Sequence, residues 1–82
     1  METGKITILV ADDDPTLLNL LALILHTAGF EVLTARDGLD ALAVARTHPG
    51  RIELLLSDVM MPGLDGPQLA RQLKLAHPTM RV

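Results

Sequence analysis

Leu54-Leu55-Leu56-Ser57-Asp58-Val59-Met60-Met61-Pro62-Gly63-Leu64-Asp65-Gly66 runs an apolar strand straight into a single carboxylate and then into a Pro/Gly-rich turn. An acid at the end of a strand marks a site. A second stretch repeats the event: Ile6-Thr7-Ile8-Leu9-Val10-Ala11 is followed by Asp12-Asp13-Asp14, so four of the ten acidic residues stand at two strand ends. Brought close together, these carboxylates repel one another and resist ionising unless a cation neutralises them. The pattern reads as a metal site.

The chain around these stretches is short and apolar. Its 82 residues allow one small domain, and a domain of this size buries only roughly 60% of the surface its unfolded chain exposes. With 49% hydrophobic residues and Phe30 as the single aromatic, its core is built from Leu, Ile, Val and Ala. No apolar run reaches membrane-spanning length, and the Met1–Lys5 start lacks the charge and apolar segment of a secretory signal. The absence of cysteine removes disulfides and thiolate metal sites and suits the cytoplasm. A net charge of -3 with scattered Lys and Arg argues against nucleic-acid binding by this segment.

Periodicity places a strand over about residues 5–11, a helix over 15–28, a second strand over 31–35, a helix from Asp37 to near Thr47, a third strand over 52–57 and a helix after Asp65. Asp14 precedes Pro15 as an N-cap precedes proline at the first helical position, and Gly29 stands where a left-handed residue closes a helix. Asp37 and Asp65 are the other expected caps, with Gln68 completing a capping-box pattern after Asp65. In the first helix Leu17, Leu18, Leu21, Ile24, Leu25 and Ala28 form one face. Leu20 and Leu23 widen it beyond what one sheet covers, so a second partner is expected. Leu39, Leu42 and Ala43 point inward from the second helix, and Leu69, Leu73 and Ala76 from the third. The third strand, broken only by Glu53, reads as covered on both faces. His77-Pro78 ends the last helix, and residues 79–82 begin a fourth strand.

Alternating strands and helices imply a parallel sheet with crossover helices. Periodicity is compatible with strand order 2-1-3 or 3-2-1. Only the first sets the two acidic strand ends side by side at a crevice, which gives the acids a common purpose.

Three segments, Ile8-Leu9-Val10-Ala11-Asp12-Asp13-Asp14-Pro15, Ala35-Arg36-Asp37-Gly38-Leu39-Asp40-Ala41-Leu42 and Asp58 to Gly66, resemble in order and spacing the receiver domain of bacterial two-component response regulators. The resemblance covers residues 5–82, leaving 1–4 as a tail, and implies a flavodoxin-like doubly wound sheet, here incomplete with three βα units and the start of a fourth strand. It implies a phosphoacceptor rather than an enzyme: Asp58 accepts a phosphoryl group from a histidine kinase or phosphotransfer protein. Mg2+ is then held by Asp12, Asp13, Asp58 and the Met60 carbonyl, with Asp12 acting through water. Family members continue into two further strands carrying a Ser or Thr, a Lys and an aromatic residue. The only lysines here, Lys5 and Lys74, match none of these positions. A C-terminally truncated receiver with impaired switching is therefore expected, self-associating through the exposed edge of the third strand.

Two other readings compete. Asp12-Asp13-Asp14-Pro15-Thr16 formally matches the Asp-x-Asp-x-Thr pattern of haloacid-dehalogenase-like phosphatases, with Asp12 as nucleophile, although the Met-Pro-Gly turn after Asp58 favours a receiver. A non-phosphorylated interaction module is the other. The separated histidines His26, His48 and His77 carry no metal-ligand spacing, and Gly4-Lys5-Ile6-Thr7 lacks the strand and glycines of a phosphate loop.

Overall fold

The computed structural model describes residues 5–57, 66–78 and 81. In chain order the elements are β1 (Thr7–Ala11), α1 (Pro15–Thr27), β2 (Glu31–Ala35), α2 (Gly38–Thr47), β3 (Leu54–Ser57) and α3 (Gly66–Ala76). The strands form one sheet in the order β2-β1-β3. Both pairings are parallel, running from Thr7↔Glu31 to Ala11↔Ala35 on one side of β1 and from Ile8↔Leu54 to Ala11↔Ser57 on the other.

Central β1 is buried along its whole length, and its side chains alternate between two apolar layers. Leu9 and Ala11 join Ala35, Ala41, Leu42, Ala45, Ile52, Leu55 and Leu73, so α2 and α3 cover this face. Ile8 and Val10 join Leu18 of α1, with Leu21, Leu25, Phe30, Val32 and Leu54 around them. The sheet is thus doubly wound. Leu9, Ile52, Leu55 and Leu73 are fully buried, and each such side chain contributes roughly 1.5–3 kcal/mol over its exposed state.

Local chemistry sets the helix ends. Asp14 Oδ1 accepts from the Thr16 and Leu17 N–H groups at 3.0 and 3.3 Å, capping α1 as expected. At its other end, the Phe30 N–H reaches back to the Leu25 carbonyl at 3.1 Å while Gly29 takes a φ of 101°, the left-handed closure its position called for. Asp37 caps α2 by accepting from Asp40 N–H at 2.8 Å, and Asp40 Oδ2 accepts from Arg36 N–H at 3.0 Å, locking the turn from both sides. Asp65 lies outside the described residues.

Several inward assignments need correction. On α1, Leu17 and Ile24 are 41% and 54% exposed and Ala28 is exposed, because the helix rests on the sheet through Leu18, Leu21 and Leu25. On α2, Leu39 and Ala43 face solvent, whereas Ala41, Leu42 and Ala45 point inward. The small alanines bring this helix close to the sheet, and that decides its rotation. On α3, Leu73 is buried as expected and the side chains of Leu69 and Ala76 lie outside the described residues. Strand β3 is covered fully on one face only: Leu55 is buried, but Leu56 is 37% exposed.

Strands β1 and β3 also start later than expected. Thr7 is the first β1 residue with a partner in β2, and Thr7 N–H bonds the Glu53 carboxylate at 2.6 Å, which places a side chain where ladder pairing would begin. Beyond α3, Arg81 forms a parallel bridge with Leu54, the beginning of the expected fourth strand. The remaining residues assigned to that strand, 79, 80 and 82, lie outside the described residues. His77 adds a tie that periodicity does not reveal: its Nε2 lies 2.9 Å from the Ala45 carbonyl, joining the end of α3 to α2.

Candidate functional site

The carboxyl ends of all three strands meet at Ala11, which is paired with Ala35 on one side and Ser57 on the other. All three residues are small. Little side-chain bulk therefore stands over this end of the sheet, and the chain leaving β1 turns immediately through the three acids.

Each acid has a different role. The Asp12 N–H donates to the Ala35 carbonyl at 3.1 Å, which extends the β1–β2 pairing one residue past the strand. Its side chain is buried at 6% exposure. Oδ1 accepts from the Asp14 N–H at 2.9 Å, so the carboxylate itself holds the turn into α1. Asp13 is exposed, and Asp14 is occupied in capping. All three sit at the N-terminus of α1, whose dipole favours negative charge by roughly 0.3–1 kcal/mol per group.

A groove of about 440 Å³ opens beside them between α1 and β3, lined by Val10, Ala11, Asp12, Leu17, Leu21, Leu56 and Ser57. It is apolar along its length and polar at the end formed by Asp12 and Ser57. Sequence reasoning did not single out Ser57, but the groove opens at the crevice expected beside the two acidic strand ends and continues along the α1 stripe that looked too wide for one sheet.

Asp58 and Met60 lie outside the described residues, so the expected metal set is represented by Asp12 and Asp13. Among the described residues no three acidic, histidine or cysteine side chains gather in a metal-holding group. The donor chemistry nevertheless fits: two adjacent carboxylates at a strand end are hard oxygen donors, which suit Mg2+.

The parallel sheet ordered β2-β1-β3, wound on both faces, with acids after its central strand, goes with a chain whose residues match a family model. Residues 8–82 fit the response regulator receiver domain. The chain belongs to that family. The receiver is 43% identical over 67 residues to the response regulator GtcR of Aneurinibacillus migulanus, covering 82% of this chain and 27% of that protein. It is 32% identical to the sensor kinase CckA of Brucella abortus, over 96% of this chain and 8% of that protein. Among solved structures, the receiver domain of the hybrid histidine kinase CckA superposes with a TM-score of 0.84 at 40% identity, over 90% of this chain and 68% of that one. The receiver thus spans about a quarter or less of these two curated relatives. No helix among its described residues is long and apolar enough to cross a membrane.

Proposed function

We propose that this receiver accepts a phosphoryl group on Asp58 from the phosphohistidine of a sensor kinase or phosphotransfer protein. The observation that carries the reading is the strand order. Asp12 follows Ala11 in the chain, Asp58 follows Ser57, and Ala11 and Ser57 are register partners. A sheet ordered 3-2-1 would have put β2 between them.

In the proposed step a carboxylate oxygen of Asp58 attacks phosphorus, the P–N bond to the donor histidine breaks, and its electron pair returns to the imidazole. The product is an acyl phosphate. Such a transfer depends on alignment and on neutralising the charge that spreads over the phosphoryl oxygens. Asp12 and Asp13, with Asp58 and the Met60 carbonyl, would hold Mg2+, which when bound supplies that neutralisation. The 2.9 Å bond from Asp14 N–H fixes the Asp12 carboxylate before any ligand arrives. The α1 N-terminus lowers the cost of gathering acids here. Like CckA, whose name marks it as a kinase and part of which this chain matches, a partner would bring a phosphorylated histidine, and this chain would supply the acceptor and the acids that hold Mg2+.

Incubation with a small phosphodonor such as acetyl phosphate and Mg2+, followed by intact mass spectrometry, tests this. One added phosphoryl group, lost on Asp58→Asn and on chelation of Mg2+, is expected. Labelling that survives Asp58→Asn and disappears with Asp12→Asn would instead indicate the phosphatase-like nucleophile. No adduct in either protein would leave an interaction module.

A further inference from the structure

Charge is divided unevenly between the two ends of the sheet. The stretches that leave its carboxyl end are residues 12–14, 36–37 and 58–65, and they contain Asp12, Asp13, Asp14, Asp37, Asp58 and Asp65. Against these acids stands one cation, Arg36, with no Lys or His. The first turns of α1, α2 and α3 add no cation. The remaining basic residues are elsewhere: Lys5 and Arg51 precede β1 and β3, Arg46 and Lys74 lie in the last turns of α2 and α3, Arg81 bridges the start of β3, and Arg71 is midway along α3. Helix dipoles favour bases in last turns. Arg36 has no such reason, because it stands just before the N-cap of α2, where the dipole disfavours positive charge.

The backbone holds Arg36 beside the acids. The Asp12 N–H donates to the Ala35 carbonyl at 3.1 Å, so the β1–β2 pairing runs up to Arg36, one strand spacing or about 4.8 Å from the chain that carries Asp12 and Asp13. Arg36 N–H donates to Asp40 Oδ2 at 3.0 Å, which fixes its place. Neighbouring carboxylates are engaged with N–H groups: Asp12 with that of Asp14, Asp14 with those of Thr16 and Leu17, and Asp37 with that of Asp40. The side chain of Arg36 is exposed, and its guanidinium bonds no group among the described residues. Guanidinium matches the oxygens of a phosphoryl group.

We propose that Arg36 recruits the phosphodonor, drawing a dianionic phosphoryl group to an end of the sheet that would otherwise repel it. This rests on the reading of Asp58 as acceptor. A unit charge roughly 10 Å from a dianion in water favours its approach about fourfold, and replacing it by the opposite charge costs about sixteenfold. Mg2+ feels the opposite sign, so the same charge weakens its binding by a similar factor.

The test is the rate at which acetyl phosphate labels Asp58, followed by intact mass spectrometry at saturating Mg2+ and low ionic strength. In this step an Asp58 oxygen bonds to phosphorus, the phosphorus–oxygen bond to the acetyl group breaks, and acetate leaves with the electron pair. The apparent second-order rate constant should fall about fourfold in Arg36→Gln and about sixteenfold in Arg36→Glu, and be kept in Arg36→Lys. About 0.5 M salt should shrink these differences below twofold. Without donor, amide NMR titration should show Mg2+ binding tighter in Arg36→Gln, an opposite change that structural damage would not produce. A parent that is labelled at the same rate as Arg36→Gln would overturn the recruitment and leave Asp58 as acceptor. So would Arg36→Lys as slow as Arg36→Gln, or a slower rate accompanied by weaker Mg2+ binding. An unlabelled parent would overturn the Asp58 reading and the recruitment with it.

Discussion

Replacing Leu73 by alanine tests how α3 is rotated on the sheet. Leu73 is 0% exposed and belongs to the layer containing Leu9, Ala41, Ile52 and Leu55, whereas Leu75, two residues later on the same helix, is 80% exposed. Truncating a fully buried leucine removes its transfer energy and leaves a cavity, which together cost about 2–5 kcal/mol. At roughly 0.05–0.15 kcal/mol per residue, a chain of this length has about 4–12 kcal/mol of total stability. Leu73→Ala should therefore remove a large fraction of the margin. Since about 1 kcal/mol moves the midpoint of a domain this size by roughly 4–8 °C, melting should fall by at least about 10 °C. Leu75→Ala makes the same change in helix propensity and should stay within about 0.5 kcal/mol of the parent. Urea titrations followed by far-ultraviolet circular dichroism on both variants, compared at unchanged slope, give the difference. Equal losses, or a larger loss at Leu75, would refute the placement of Leu73 in the layer that α3 shares with α2.

Three further outcomes follow from single contacts. Asp14→Ala removes the acceptor of two α1 N–H groups and should cost about 1 kcal/mol in urea; Asp13→Ala, with no cap to lose, should cost less than about 0.5 kcal/mol, and equal costs would contradict the division of labour among the acids. Gly29→Ala meets no atom within 4 Å, yet Gly29 has a φ of 101°, so backbone strain alone should destabilise the protein by about 1 kcal/mol; a neutral result would show that the helix closure relaxes. Titrating Mg2+ into the amide NMR spectrum should shift the signals of Ala11 to Asp14 most among the described residues, and Asp12→Asn with Asp13→Asn should abolish the response. Shifts that persist in that variant would place the ion elsewhere.

The local parts of the fold were legible in the residues themselves. A cap needs only its own side chain and the next turn of backbone, so Asp14, Asp37 and Gly29 could be placed by type and position. The acids after Ala11 and Ser57 were visible because a strand boundary is a change of composition. Segments resembling a receiver completed the reading, and the family match runs from residue 8 to residue 82, starting three residues after the expected domain start at residue 5. Helix rotation was less accessible. In α1 nearly every position is apolar, so the pattern contains two stripes and does not rank them. In α2 the large Leu39 looked like an anchor, but Ala41 and Ala45 sit against the sheet, because close approach of helix to strand favours small side chains there.

By itself, then, the sequence determined the alternation of strands and helices, their capped ends and the acids at two strand termini, since these depend on neighbours within a turn or two. The order that sets β1 between β2 and β3 was expected from the acidic strand ends and is observed, whereas tertiary structure alone decided the register across the sheet, that Asp12 is buried while Asp13 is not, and which face of each helix meets the strands. Those outcomes depend on pairings between residues tens of positions apart, such as Ala11 with Ser57. Hydrogen-bond register and the available packing surface select among them, and neither is encoded in periodicity.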